Sequence, residues 1–222
     1  TADTALYAFS HNLAMVLSIL VTAVNQSFIP RFYKLLGDEN YDTINKIISH
    51  NTFLLISISL VYTFVIDNIM FIFPAYYRNL YSLTFMLIFS YIIFYGYVIY
   101  SNYLYYLKKT GVVFINTFIA GVANVVMNYF LIQRYGYIGA TVATLISYVI
   151  MYLMFYFSVK KIFGSNIYDF RKMSLALLAS CILIVIYYLI RGSLALKVIY
   201  ILMTISILGY IYYIRRKANV KQ

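Results

Sequence analysis

Charged residues are scarce in this sequence. They make up 10% of its 222 residues, whereas 64% of the residues are hydrophobic and the mean hydropathy is +0.85. A soluble domain carries about 25% charged and about 45–50% apolar residues. This composition therefore excludes a water-soluble fold. Apolar runs of roughly 20 residues recur along nearly the whole chain, which favours transmembrane helices over the alternating pattern of a barrel.

Side chains that carry out chemistry are also rare. The single cysteine, Cys181, cannot form an internal disulfide, and in its apolar run it is expected to act as a small buried hydrophobe. The two histidines, His11 and His50, lie in different apolar runs and form no metal site with that thiol. The sequence contains no GxxxxGK[ST] phosphate loop. We therefore predict neither an enzyme nor a bound cofactor.

The positive charges alternate between connections. The formal net charge of +11 would suggest nucleic acid in a soluble protein, but here the cations lie at the ends of apolar runs. All but four lie in the first, third and fifth connections and in the C-terminal tail. The four exceptions are Arg78, Arg134, Arg191 and Lys197. The positive-inside rule therefore predicts a cytoplasmic C-terminus, and no nucleic acid partner is expected.

The hydropathy pattern predicts an all-α, polytopic transmembrane helix bundle of about seven spans. The expected spans are 6–29, 51–73, 83–106, 112–133, 138–159, 173–190 and 195–214. Residues 40–51 are more polar, and their apolar side chains fall on one helical face. They are expected to form an interfacial helix or a cytoplasmic extension of the second span.

The fourth and fifth spans are interpreted as a transmembrane hairpin. Small or amide side chains recur at every fourth position, namely Asn116, Ala120, Asn124 and Asn128 in the first arm and Gly139, Ala143 and Ser147 in the second. The second set is the small-xxx-small pattern that lets membrane helices approach closely. Gly136 and Gly139 bracket the turn, where a backbone without a Cβ reverses easily. The asparagines would either hold the helices together or contact a sugar or a headgroup.

Other polar residues suggest a cavity wall. His11, Ser18, Thr22 and Asn25 share one face of the first span, where they would line a substrate cavity or hydrogen-bond to a neighbouring helix. Tyr91, Tyr95 and Tyr97 of the third span are further candidates for lining a cavity. Arg31 follows Pro30 at the cytoplasmic end of the first span, where it would meet a phosphate or act only as a topology charge.

Asp67 is the one carboxylate expected inside a span. A carboxylate there could carry a coupling proton or sodium ion, or pair with a cation such as Arg134 or Arg78. A third possibility is an aspartate at a helix end that reaches water.

Residues 123–149 (ANVVMNYFLIQRYGYIGATVATLISYV) resemble the signature hairpin of Wzx-type polysaccharide-export flippases, of the multidrug/oligosaccharidyl-lipid/polysaccharide exporter superfamily. The matching positions are Asn124, Asn128, Tyr135, Gly136, Gly139, Ala140, Ala143 and Thr144. Met127 stands where leucine is commoner. The resemblance covers about residues 5–163 and implies the C-terminal half of a transporter, with spans 8–14 of about 14. Residues 1–163 would form the core of this half, and residues 164–222 two further spans and a basic tail.

The resemblance implies that an undecaprenyl-diphosphate-linked oligosaccharide is flipped across the bacterial inner membrane by alternating access, for O-antigen or capsule synthesis. The expected partners are this substrate, the bilayer and the missing N-terminal half. The candidate substrate-binding residues are Asn25, Arg31, Asn116, Asn124 and Asn128, and the ion-coupling candidate is Asp67. The family's cavity is usually cationic. This half has no Lys or Arg expected in mid-span, so cations for the diphosphate would come from the other half.

Two other functions compete with this hypothesis. A cation-coupled drug exporter of the same superfamily would use Asp67. A membrane O-antigen polymerase would also be polytopic and aromatic-rich, but it would need a large outer loop with basic residues. The four outer cations of this sequence lie in short turns, which disfavours the polymerase.

Overall fold

The computed structural model describes residues 2–73, 80–193, 195–202, 205, 206 and 209. Its long helices are α1 (Ala2–Gly37), α2 (Tyr41–Ile69), α3 (Tyr81–Tyr106), α4 (Thr110–Phe163) and α5 (Phe170–Ile190). A 3₁₀ turn (Met70–Ile72) follows α2, and residues 195–202 are helical again. All five helices are long and apolar enough to cross a membrane. The predicted all-α class is confirmed for the described part of the chain, and its five long apolar helices are compatible with a membrane helix bundle.

Helix α3 lies at the centre of the bundle. In its most apolar window 67% of the residues are buried, against 28–39% in the other four helices. It packs against α1, α2, α4 and α5. In a bilayer an apolar helix can face lipid as well as protein, so the central position of α3 is set by the helices that pack around it and not by its apolar composition. Because α5 packs against α2 as well as α3, the part of the chain after residue 163 joins the same bundle.

The first span is longer than the sequence predicts. Helix α1 does not end at Pro30 but continues through it to Gly37. Proline removes one helical hydrogen bond, so the last turns need support from elsewhere. The buried side chain of Phe32 supplies that support, since it packs edge-on against Tyr103 of α3 with ring centroids 4.9 Å apart.

The polar segment at residues 40–51 extends the second span and is not a separate interfacial helix. Asn40 caps α2, because its side chain accepts a hydrogen bond from the Thr43 amide at 3.1 Å. Ile44 and Ile48 are completely buried and belong to the main core. The helix therefore runs without a break from this cap to Ile69.

Helix α4 is a hairpin that reverses at Gly136. This residue has φ of 58° and ψ of −137°, in a region that L side chains rarely adopt. Residues on either side meet in antiparallel order, since Asn116 hydrogen-bonds to Ser158, and Asn124 to Ser147, at 3.0 Å each. The two arms, residues 110–135 and 137–163, correspond to the expected fourth and fifth spans.

Some predicted features lie outside the described residues. These are Arg78, the basic tail and part of the expected last span at 195–214, in which residues 195–202 are helical.

Candidate functional site

Three helices bring aromatic rings together on one side of the bundle. We call this set the aromatic cluster, and its members are Tyr7, His11, Tyr91, Phe94, Tyr97 and Tyr148. The first two come from α1, the next three from α3 and the last from the second arm of α4. Tyr91 is buried and the other five side chains are half-buried. The three α3 positions are spaced by three, which keeps them on one helical face.

Each ring of the cluster contacts at least one other ring of the cluster. Tyr91 shares a hydrogen bond of 3.1 Å with Nε2 of His11, and its ring centroid lies 6.1 Å from that of Tyr148. Phe94 lies 5.4 Å from Tyr148 and 5.0 Å from Tyr97, centroid to centroid. Partly exposed aromatic faces beside phenol hydroxyls can contact a ligand that has both apolar surface and hydroxyl groups.

Tyr95, the third tyrosine that the sequence suggested for a cavity, belongs instead to the core. Its hydroxyl lies 3.2 Å from Oγ1 of Thr52 on α2, and its side chain is buried. Tyr95 is one residue away from Phe94, and successive residues of a helix point about 100° apart. Of the three predicted tyrosines, Tyr91 and Tyr97 therefore lie on one side of α3 and Tyr95 lies on another.

The polar residues of α1 are mostly engaged within the protein. Ser18 and Thr22 donate to carbonyls of their own helix, at 2.7 and 2.8 Å. Asn25 and Asn102 of α3 form a reciprocal amide pair, with N–O distances of 2.7 and 3.4 Å, and both are buried. Of the two roles predicted for this face, Asn25 therefore has the second, a hydrogen bond to a neighbouring helix. His11 lies in the aromatic cluster.

The asparagine stripe faces the other arm of its own hairpin. Asn116 donates to Ser158, Asn124 donates to Ser147, and Asn128 donates to Oδ1 of Asn124 at 3.0 Å. Oδ1 of Asn128 is buried and accepts no hydrogen bond among the described residues. This geometry favours the packing role of the stripe over contact with a sugar.

The small residues of the second arm lie against the first arm. Gly139, Ala143 and Ser147 are all buried. A Cβ added at Gly139 would lie 2.2 Å from the carbonyl oxygen of Leu131, so the two backbones touch there. Gly136 acts differently, because an added Cβ would meet nothing within 4 Å, and its contribution is the positive φ of the reversal.

Arg31 lies apart from the other predicted site residues. Its side chain is exposed on α1, next to the buried Phe32. It therefore remains available to solutes or headgroups at its end of the bundle.

Asp67 lies in a buried charged cluster that the sequence did not predict. Its side chain is 1% exposed and accepts a hydrogen bond from Tyr187 at 2.8 Å. Lys197 contacts the same carboxylate oxygen, and Nη1 of Arg191 lies 3.6 Å from the other. Tyr81 donates to the main-chain oxygen of Asp67 at 3.2 Å. Asp67 is therefore buried and paired instead of being exposed at a helix end, and the cluster joins α2, α3, α5 and the helix that follows.

The expected cation partners of Asp67 were different residues. Arg134 is exposed near the hairpin turn, and Arg78 lies outside the described residues. One signal for the observed partners was present, because the charge count put Arg191 and Lys197 in one connection, on the same side as the expected partners Arg78 and Arg134. A buried carboxylate needs a counter-charge, and among the described residues Lys197 and Arg191 supply it.

No family model matches the sequence, and no match is found among curated proteins or solved structures. In the described ranges, no group of three or more His, Cys, Asp or Glu side chains could hold a metal ion.

Proposed function

We propose that this chain is the C-terminal half of a flippase for an undecaprenyl-diphosphate-linked oligosaccharide. The observation that carries the proposal is the aromatic cluster, in which three helices present half-buried rings on one side of the bundle. Sugar rings have apolar faces that stack on aromatic side chains and hydroxyls that exchange hydrogen bonds with tyrosine. The sequence resemblance of residues 123–149 to Wzx-type flippases supports the same function.

The proposed topology has seven spans in the bacterial inner membrane, with a cytoplasmic C-terminus. Five long apolar helices, with α4 divided at Gly136, and the helical start at 195–202 support this count. The basic residues at one end of the helices support the orientation. The missing N-terminal half would cover the aromatic cluster, and the two halves would open alternately towards the two leaflets.

Within this mechanism the residues have separate roles. The aromatic cluster would contact the sugar, and the exposed Arg31 would meet the diphosphate as it enters from the cytoplasmic side. Asn25, Asn116 and Asn124 are already hydrogen-bonded inside the protein, so they would position the helices around the substrate.

The cation-coupled drug exporter is the less favoured alternative. Such a protein would need a carboxylate that takes up and releases a cation. Asp67 already accepts a hydrogen bond from Tyr187 and lies beside Lys197 and Arg191. A third cation would be repelled by the two that are present.

The test compares substitutions in and outside the aromatic cluster. Cells that lack the complete protein are expected to accumulate lipid-linked repeat units on the cytoplasmic leaflet. Tyr97→Ala combined with Tyr148→Ala should reproduce that accumulation at normal protein levels. Tyr129→Ala is the matched control and should restore export. Tyr129 lies in the first hairpin arm, outside the aromatic cluster, and is 65% exposed. Accumulation on the outer leaflet would refute the flippase, and full export by the double variant would refute the role of the cluster.

A further inference from the structure

An open cleft of about 370 Å³ lies at the end of α5. Its lining consists of Asp67, Tyr188, Leu189, Arg191 and Gly192. The volume falls within the range of ordinary small-molecule sites, about 300–1,000 Å³. Arg191 has 27% of its side chain exposed, so the cleft gives a ligand access to a charged group.

The guanidinium of Arg191 is held in place by two aromatic rings. Its Cζ lies 4.0 Å from the ring centroid of Tyr81 and 4.7 Å from that of Tyr188. The two rings restrain the guanidinium, while 27% of the Arg191 side chain stays exposed beside the cleft. The distance of 3.6 Å from Nη1 to Asp67 is longer than a hydrogen bond. Among the described residues, no hydrogen bond occupies the N–H donors of Arg191.

Among the described residues, the cluster carries one more positive than negative charge, from Arg191, Lys197 and Asp67. Lys197 contacts Asp67 directly, so the single carboxylate is matched before Arg191 is counted. Arg191 therefore provides a surplus positive charge beside an open cleft. Near the low-dielectric interior of a membrane, such a charge attracts an anion more strongly than it would in water.

The position of Arg191 relative to the membrane indicates which kind of anion it binds. Helix α5 has 21 apolar-rich residues and ends at Ile190, one residue before Arg191. This length matches the apolar thickness of a bilayer, so Arg191 lies at the level of lipid headgroups. We propose that Arg191 binds the phosphate group of a membrane lipid in this cleft, through two parallel N–H···O hydrogen bonds. The phosphate would come from a bilayer phospholipid or, if the proposed function holds, from the diphosphate of the polyprenyl carrier.

The experiment is native mass spectrometry of the complete, detergent-solubilised protein titrated with three lipids. Phosphatidylglycerol and polyprenyl diphosphate supply phosphate, and diacylglycerol with the same acyl chains as the phospholipid is the phosphate-free control. We expect one lipid of the phosphate class to bind at least tenfold more tightly than diacylglycerol. Arg191→Gln should remove at least tenfold of that affinity, whereas Arg134→Gln, which changes an exposed arginine outside the cleft, should leave it unchanged.

A second variant tests the cleft without touching the charges. An added Cβ at Gly192 meets nothing within 4 Å, so Gly192→Phe can fill the cleft while Asp67 keeps its partners. This variant should fold normally and lose the bound lipid. If Arg191→Gln does not fold, the result for Gly192→Phe alone shows whether the cleft binds the lipid. Unchanged affinity in both variants, or equal binding of diacylglycerol, would overturn the site. Tighter binding of phosphatidylglycerol than of the diphosphate would keep the site but assign it to the bilayer, independently of the flippase.

Discussion

The geometry of the hairpin predicts that one methyl group added at Gly139 destabilises the protein. In Gly139→Ala the new Cβ would lie 2.2 Å from the carbonyl oxygen of Leu131 and 2.5 Å from its carbonyl carbon. Carbon contacts are normally near 3.5 Å, so the arms must separate by roughly 1 Å. The atoms in the way are backbone and cannot turn aside as a flexible side chain could.

The cost follows from this geometry. Overpacking usually costs about 1–3 kcal/mol, and we expect about 3 kcal/mol here because the obstacle is rigid. Separating the arms would also lengthen the 3.0 Å hydrogen bond between Asn124 and Ser147. Such bonds between membrane helices contribute about 0.6 kcal/mol on average, so their loss is a minor addition.

The matched control is Gly121→Ala in the first arm of the same hairpin. An added Cβ there meets nothing within 4 Å, so the expected change is a gain of about 0.5–1 kcal/mol from replacing glycine inside a helix. Gly136→Ala separates conformation from packing, because its added Cβ is equally free but its φ of +58° should cost about 1–3 kcal/mol.

The assay is equilibrium unfolding of the purified protein in mixed micelles with increasing dodecyl sulfate, followed by circular dichroism. Variants at Gly139 and Gly121 should move the free energy of unfolding in opposite directions. If Gly139→Ala is as stable as the parent protein, or if both alanines have the same effect, then the arms do not touch at Leu131 and the hairpin geometry is wrong.

The same assay tests the two buried polar pairs. Lys197→Met should lower the free energy of unfolding by about 3–5 kcal/mol, because it leaves the charge of Asp67 buried with one partner fewer. Adding Asp67→Asn should recover most of that loss, and a further loss would contradict the pairing. Asn25→Leu should cost about 1–3 kcal/mol, because it leaves the buried amide of Asn102 without its partner. Adding Asn102→Leu should cost less than the sum of the two single changes, whereas additivity within about 0.5 kcal/mol would show that the amides do not interact.

The class of the protein follows from its sequence for a physical reason. A chain that is 64% hydrophobic satisfies its backbone hydrogen bonds in a membrane most simply as helices. Long apolar runs then set the position of each helix, and the glycines at 136 and 139 mark where the fourth and fifth spans reverse. These are local properties, readable along the chain. The predicted end of the first span before Pro30 was wrong, because the packing of Phe32 supports the helix beyond the proline.

The partners of the polar side chains were decided only by the tertiary structure. Asn25 meets Asn102 across 77 positions, and Asp67 meets Lys197 across 130. Tyr95 faces α2 while Tyr97 faces the aromatic cluster. A sequence pattern fixes which residues share a face of one helix, but the rotation of that helix about its axis depends on packing against its neighbours. In a bilayer the apolar side chains can face lipid or protein with little difference in free energy, so the rotation is set by the close contacts and hydrogen bonds that form when the helices assemble.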